Sequence, residues 1–315
     1  MPLFINTNVS SLYAQRAAQR ANDALDISYQ RLSSGLRINR AKDDAAGMQV
    51  SNNLTTQLDG LTQSNRNAQD GLAFAQTIEG ALDEVTNMLQ RIRTLAVQAS
   101  NGTMSDQDRN SLQVEVTQLA DEITRISNDT TFAGADVLNG NASISRFQVG
   151  ADPSSIIEMD LRDGTDINGI VKMLVRYTGK DTFTNPMVTD PANPGGHAVN
   201  LKFEDIFKNN GTNPGIRVEK ASAAQATLAG IDGLINAIDR KRAELGAMQN
   251  RLEATVRNQE SVKENVASSR ATIRDTDFAE ETANLTQQQI IQQATATILT
   301  QANQRPQIAL SLMQK

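Results

Sequence analysis

The sequence predicts a mainly α protein: a long antiparallel helical rod, or coiled coil, formed by both termini, with a small β-rich insert. Apolar residues recur in alternating steps of three and four toward both ends of the 315-residue chain, the spacing of helices that pack against partner helices. Only 3% of the residues are aromatic and none is Trp, which suits thin bundles of aliphatic side chains. Between the helical ends, residues 132–216 hold five of the seven prolines.

Two helices are predicted before residue 100. The first runs from about Ser10 to Gly35, where the glycine ends it and a polar link follows. The second begins near Asp43 and continues to about Ala99. Its apolar seam takes steps of four and three and consists of Ile78, Leu82, Val85, Leu89, Ile92, Ala96 and Ala99.

Leu95 lies off this seam, in helical steps with Met88, Arg91 and Gln98. We expect Arg91 and Leu95 to point outward while the seam faces the bundle. A single exposed leucine is ordinary on a protein surface. A second interpretation is that neighbouring subunits or other partners cover the surface on which Leu95 lies.

A third helix is predicted to begin after Ser105, a favourable N-cap residue followed by acidic residues. From about residue 132 to residue 216 the apolar pattern changes to short stretches of period two, typical of a small β-rich or loop-rich insert. Helical spacing then returns from Leu228 to Ile273. A last helical seam is predicted through Ile291, Ala294, Ile298, Arg305, Ile308 and Leu312.

Composition argues against enzymatic and several other functions. The net charge of −6 and the pI of about 5.0 disfavour a nucleic-acid binder. There is no cysteine, and the one histidine, His197, lies in a loop-like segment, so neither a metal site nor a catalytic triad is indicated. We therefore expect no enzyme activity and no cofactor. The chain shows no cleavable signal peptide and no apolar run long enough for membrane insertion, so these rules alone favour a cytosolic protein.

Several long motifs resemble bacterial flagellin. They are "INTNVSSLYAQR", "RLSSGLRINRAKDDAAGMQVSNNL", "LQRIRTLAVQASNGT", "LGAMQNRLEATV" and the ending "QQATATILTQANQRPQIALSLMQK". The resemblance covers about residues 1–165 and 220–315. It implies a subunit that polymerises with itself into the extracellular helical filament of swimming bacteria. It also implies export through the flagellar type III channel, and as partners an export chaperone, the flagellar cap and the hook–filament junction proteins.

The resemblance also implies a division of the chain. Residues 1–42 and 276–315 are expected to form an inner coiled coil. Residues 43–165, with a β-hairpin, and 220–275 are expected to form the outer helical rod. Residues 166–219 correspond to the family's variable region, which is short here, so large outer domains are not expected.

Functional residues follow from the matching positions. A host Toll-like receptor that senses flagellin, and neighbouring subunits, are expected to contact Gln90, Arg91, Leu95 and Glu115. Packing in the filament core is assigned to Leu25, Leu32, Leu36, Ile291, Ile298, Ile308 and Leu312. Candidate glycosylation sites are Ser143, Thr178 and Thr184.

Two other functions stay open at the level of sequence. Helical periodicity alone is equally compatible with a cytoplasmic coiled-coil adaptor. Within the family, the minor hook–filament junction protein shares the terminal architecture. The match of the "LQRIRTLAVQASNGT" stretch and of the C-terminal motif favours the filament subunit.

Overall fold

The computed structural model describes residues 7–141, 144–179, 182–189, 198–202 and 215–313, and the side-chain surroundings of residues 7–141, 144–179 and 215–304. Its helices are α1 (Val9–Ser34), α2 (Ala45–Ala99), α3 (Asp106–Asp129), α4 (Ile167–Thr178), α5 (Ala221–Arg274) and α6 (Phe278–Met313). Its strands are β1 (Thr131–Phe132), β2 (Ala135–Asp136), β3 (Ser145–Gln148), β4 (Ile156–Met159), β5 (Thr182–Thr189) and β6 (Ala198–Lys202). The predicted mainly α class is confirmed.

The chain forms two compact units. The first consists of Met1–Gly60 with Ser261–Lys315, and the second of Leu61–Glu260. The boundaries fall inside α2 and α5, the two longest helices. The five-part division expected from the family remains a prediction.

In the first unit, α1 and α6 pair antiparallel. Asn8 near the start of α1 donates a hydrogen bond to the backbone oxygen of Ala302, at 2.7 Å. At the other end of α1, Arg31 lies beside Glu281 in the first turn of α6. The N-terminal end of each helix therefore lies beside the C-terminal part of the other.

The links that flank α1 and α6 are hydrogen-bonded to each other. Gly35 ends α1 with φ +70°, a left-handed conformation that glycine adopts without strain. Its carbonyl accepts the N–H of Thr276 at 3.0 Å, and the N–H of Arg37 donates to the carbonyl of Arg274 at 2.7 Å. Leu36 and Asp275 form a β-bridge between these two bonds. We call residues 35–38 with 274–276 the joint.

The core of the second unit contains the predicted α2 seam. All seven seam residues, from Ile78 to Ala99, are completely buried, so this prediction is confirmed. On α3, the apolar spacing of three and four predicts a seam of Leu112, Val116, Leu119, Ile123 and Ile126. Val116 and Ile123 are fully buried, and the other three pack against the same core. Leu234, Ile238 and Leu245 of α5 complete it.

The three strand pairs are two-stranded and antiparallel. In the β3–β4 hairpin, Phe147 pairs with Ile157, and Ile157 and Met159 are buried. This confirms the period-two prediction for these residues. Asn67 of α2 donates to the backbone oxygen of Gln148 at 3.0 Å. The hairpin is thereby fixed to a helix of the same unit.

Helix α4 was not predicted, because the segment was expected to be β-rich or irregular. Asp166 caps its N-terminus by accepting the N–H of Gly169, and Gly179 ends it in a left-handed conformation. Ile170 and Met173 are completely buried in the core of the second unit. Part of the expected variable region therefore belongs to that core.

Candidate functional site

The turn between α2 and α3 is fixed by a buried arginine. The Arg109 guanidinium, on a residue that is 7% exposed, donates to the backbone oxygens of Ala99 at 2.9 Å and Asn101 at 3.1 Å. These carbonyls lie at the C-terminal end of α2, where a helix has no partners of its own for them. Ser105 and Asp108 form the predicted cap as a reciprocal capping box, and the hydrogen bond from Ser105 lowers the pKa of Asp108.

This turn brings Arg91 of α2 beside Glu115 of α3. The Arg91 Nε and Nη2 atoms lie 2.8 and 2.6 Å from the same Glu115 oxygen, Oε1. The two side chains are 55% and 41% exposed. Gln90 is exposed as well. Three of the four predicted receptor-contact residues are thus accessible, and two of them are already paired with each other.

Leu95 differs from the prediction. It is 1% exposed and belongs to the core of the second unit, so the expectation that it points outward is wrong. Residues of α2, α3, α4 and α5 share this core, and a helix contacted from several sides buries a stripe wider than the two positions of a coiled-coil seam. A contact between Leu95 and a receptor remains untested.

The surface of α3 next to this pair holds an apolar residue that the sequence analysis missed. Val114 precedes Glu115 and is 59% exposed, so the described surface has an exposed apolar side chain here, whereas Leu95 is buried. The sequence could have indicated the exposure of Val114, because this residue lies outside the apolar seam of α3 and therefore does not face the core.

The helix pair of the first unit contains several of the residues assigned to packing in the filament core. Leu25 is 6% exposed, and Leu32, Leu36 and Ile291 are half-buried. Ile298 is 53% exposed, so it does not lie in the seam between α1 and α6. Packing of these residues in the filament core stays a prediction. The side chains of Ile308 and Leu312 lie outside the described residues, so their packing stays a prediction.

The face of α6 that contacts α1 is small and polar. Thr295 and Ala302 are buried there, at 7% and 4% exposure, one position away from the expected phase. Thr295 can be buried because its hydroxyl donates to the backbone oxygen of Ile291 at 2.8 Å. Sequence reasoning placed the largest apolar side chains in the seam, whereas the observed seam uses small ones.

Large apolar side chains consequently remain on the surface of this unit. Among the described residues, nine of the twelve exposed large apolar side chains lie in the first unit: Val9, Leu12, Tyr13, Ile27, Tyr29, Val50, Phe278, Ile290 and Ile298. Exposed apolar residues concentrated in one unit favour an interaction surface there.

A charged cluster precedes α4 in the second unit. The hydrogen bond from Arg162 holds the pKa of Asp160 well below its usual range, and their Nη2 and Oδ2 atoms are 2.6 Å apart. Arg176 of α4 lies 2.6 Å from Asp163, and the buried Lys241 of α5 donates to the backbone oxygen of Asp160 at 2.5 Å. These bonds tie the end of β4 and helix α4 to α5.

The candidate glycosylation residues are only partly described. Thr178 is exposed at the end of α4, with its hydroxyl bonded to the backbone oxygen of Leu174 at 2.8 Å. Thr184 lies in β5, but its side-chain surroundings are not described. Ser143 and His197 lie outside the described residues altogether. In the described part of the chain, no three acidic or histidine side chains cluster as metal ligands, and no helix is apolar enough over sufficient length to cross a membrane.

A mainly helical chain whose terminal helices pair and leave large apolar side chains exposed belongs to the class of structural assembly subunits. Family models agree: residues 5–143 match the bacterial flagellin N-terminal helical region, and residues 228–313 match the bacterial flagellin C-terminal helical region. The chain belongs to the bacterial flagellin family.

Individual relatives extend the match over the whole chain. Polar flagellin B/D of Vibrio parahaemolyticus is 38% identical, covering 99% of this chain and 100% of its own length. Flagellin B of Vibrio cholerae is 36% identical with the same coverage. A solved structure of a putative flagellar hook-associated protein from Vibrio parahaemolyticus shares the fold, with a TM-score of 0.52 and 16% identity over 74% of this chain and 100% of its own.

Family membership establishes the general function. Flagellins are structural proteins without enzymatic activity, which confirms the prediction that the chain is not an enzyme. They polymerise with themselves into the extracellular flagellar filament. The chain is therefore a structural filament subunit.

Proposed function

We propose that this chain is a principal subunit of a filament that drives swimming, and that the exposed apolar residues of its first unit are buried by neighbouring copies. The clustering of nine such residues in that unit carries the proposal. Burying one large apolar side chain contributes about 1.5–3 kcal/mol, and roughly half of that for a side chain already half covered. Several such contacts per subunit therefore contribute several kcal/mol in favour of assembly.

The export route in this proposal is the flagellar type III channel, used without a cleaved signal peptide. The absence of cysteine suits a chain that is threaded unfolded, because no disulfide can lock it. The partners on this route are an export chaperone, the flagellar cap and the hook–filament junction proteins. Within the filament, each copy is the main partner of the others.

The same proposal includes recognition of the dissociated subunit by the host Toll-like receptor. Gln90, Arg91 and Glu115 form the contact surface on α2 and α3. Arginine presents a forked set of donors, so Arg91 suits a binding hot spot. A receptor that uses it engages the Arg91–Glu115 pair as a unit or exchanges Glu115 for a carboxylate of its own.

The assembly proposal is tested by placing a charge on the exposed apolar surface. Ile290 is 62% exposed, so Ile290→Asp should leave the unfolding of the soluble chain unchanged and abolish both filament formation and swimming in soft agar. Asn168→Asp adds the same charge at the N-terminal end of α4, where a carboxylate is favourable, and should change neither. Normal filaments from the Ile290→Asp chain would contradict the proposal.

The position of the protein on the cell separates the alternatives. Antibody labelling along the whole length of sheared filaments is expected for a principal subunit. Labelling confined to the border between hook and filament would identify the minor junction protein. Labelling confined to the cytoplasm would indicate the adaptor.

A further inference from the structure

The seam between α1 and α6 does little to fix how far one helix is shifted along the other. Leu25 is its one large apolar residue that is buried among the described residues. The other buried residues are small or polar: Ser11, Ala14, Ala21 and Ser28 on α1, and Glu281, Thr295 and Ala302 on α6. Large side chains that fit individual holes specify a register, and this seam has few of them. A shift of α6 along α1 by one helical turn therefore replaces many contacts between small side chains by similar ones.

The sequence of α6 repeats at the interval of one turn. Gln292 donates to the Asn22 side-chain oxygen at 2.6 Å. Gln288 stands four residues earlier, on the same side of the helix. A four-residue shift therefore brings Gln288 to Asn22 in place of Gln292, and the amide contact accepts both registers.

Three side-chain contacts between these helices are not reproduced by this shift. Two of them are uncharged: Leu285 replaces Gln289 opposite Tyr29, and Leu299 replaces Asn303 opposite Ser11.

The third contact is the only ion pair between α1 and α6 among the described residues. Arg31 Nη1 lies 3.3 Å from Glu281 Oε2, and the Glu281 side chain is only 7% exposed. No charged residue occurs from Thr282 to Gln304, and no other ion pair links α1 to α6 in the described ranges. Asp277, one turn before Glu281, already accepts two backbone N–H groups in the first turn of α6.

The ion pair lies next to the joint. The backbone bonds of Gly35 with Thr276 and of Arg37 with Arg274 connect the same ends of α1 and α6. A shift along the seam breaks these bonds as well as the ion pair. The ion pair and the joint therefore both lie at one end of the helix pair. They can fix a register that the small and polar residues of the seam do not fix.

We propose that the Arg31–Glu281 ion pair, together with the joint, sets the register in which α1 and α6 pair, so that subunits enter the filament in one conformation. This inference rests on the proposed function as a filament subunit. The Glu281 carboxylate is buried and the Arg31 side chain is 31% exposed, so the pair adds little net stability, but it disfavours arrangements that leave the buried carboxylate unpaired. Arg31 forms the ion pair through Nη1 alone, because its buried Nε has no hydrogen-bond partner among the described residues. A single contact of this kind fits a role in specificity more than in stability.

The absence of cysteine allows the register to be read with introduced disulfides. Asn22→Cys with Gln292→Cys reports the observed register, and Asn22→Cys with Gln288→Cys reports a shift of one turn. In filaments with unaltered charges, the first pair should form an intrachain disulfide at least about tenfold more than the second. Adding Glu281→Gln should reduce this preference by about tenfold, which corresponds to the loss of about 1.4 kcal/mol of register specificity.

Two further variants control the test. Arg257→Gln removes an exposed ion pair with Glu253 within α5 and should leave the disulfide ratio unchanged. Arg31→Glu with Glu281→Arg restores a pair with the charges exchanged and should return the ratio to that of the unaltered chain. If the Glu281→Gln chain does not assemble, recovery of assembly by the exchanged pair supports the proposal, and no recovery overturns it.

Other results decide clearly. An unchanged disulfide ratio in the Glu281→Gln filaments would overturn the proposal, as would an equal loss of preference in the Arg257→Gln control. If the unaltered chain formed no filaments, the proposed function would be wrong. Filaments that form normally but show an unchanged ratio would overturn only the register proposal.

Discussion

Replacing Leu95 by alanine tests whether this residue belongs to the core or to the recognition surface. At 1% exposure, the side chain loses three buried carbon atoms, which costs about 2.4 kcal/mol of transfer free energy. The cavity left behind adds to this, so we expect a total of about 3–4 kcal/mol. Arg91→Ala should cost less than about 1 kcal/mol, because the Arg91–Glu115 pair is exposed.

Guanidinium denaturation followed by far-ultraviolet circular dichroism measures both values on the full chain. Receptor signalling by heat-dissociated subunits is then compared per folded molecule. Arg91→Ala should lose signalling while staying folded, with a binding cost of about 1–3 kcal/mol. Leu95→Ala should signal like the unaltered chain per folded molecule, because the buried side chain does not reach the surface. A change of less than 1 kcal/mol in the unfolding free energy of Leu95→Ala would refute its placement in the core.

Further predictions concern the seam, the termini and acid. Leu89→Asp should cost several kcal/mol of unfolding free energy and remove cooperative melting, because it buries an unpaired carboxylate. The control Thr94→Asp places the same charge at an exposed position and should shift the melting temperature by no more than a few degrees. Equal effects of the two variants would show that the buried face is wrongly assigned. Deleting residues 280–315 should leave a folded second unit that does not polymerise, and amide exchange in this segment of the intact soluble chain should be fast; filaments of normal length or strong protection would contradict this. Because Arg162 lowers the folded-state pKa of Asp160, their interaction stabilises the fold above the ordinary carboxyl pKa and is lost as the pH falls below it. The difference in melting temperature between the unaltered chain and Arg162→Ala should thus be largest near neutral pH and shrink in acid, and a constant difference from pH 7 to pH 2 would argue against it.

The sequence predicted the elements whose periodicity is set by a single contact surface. The α2 seam, the Ser105 cap and the alternation in the β3–β4 hairpin follow from local geometry, and each is present. Leu95 was misplaced because its burial depends on how many helices surround α2, which a pattern along one helix does not contain. Ile298 lies outside the α1–α6 seam because that seam uses small and polar residues, so the largest apolar side chain is not a guide to the buried face.

The candidate site divides in the same way. The sequence pattern and the family resemblance selected Arg91 and Glu115, but the ion pair between them depends on how the α2–α3 turn aligns the two helices. The role of Arg109 in that turn was not foreseen, since an arginine in a polar cap sequence normally lies at the surface. Helix α4 was missed because glycine and aspartate flank it, although the spacing of its apolar residues is helical.

Helix α4 also limits how this chain can diverge or be engineered. A segment that varies freely between relatives must be separable from the core, yet Ile170 and Met173 are part of that core. Excising residues 166–219 as one block would remove α4 and leave a hole in the core that it shares with α2, α3 and α5. A foreign epitope inserted directly after Gly179 keeps α4 in place, because the helix has already ended there with its own C-cap. The border between interchangeable display surface and indispensable scaffold therefore lies after α4 and not before it.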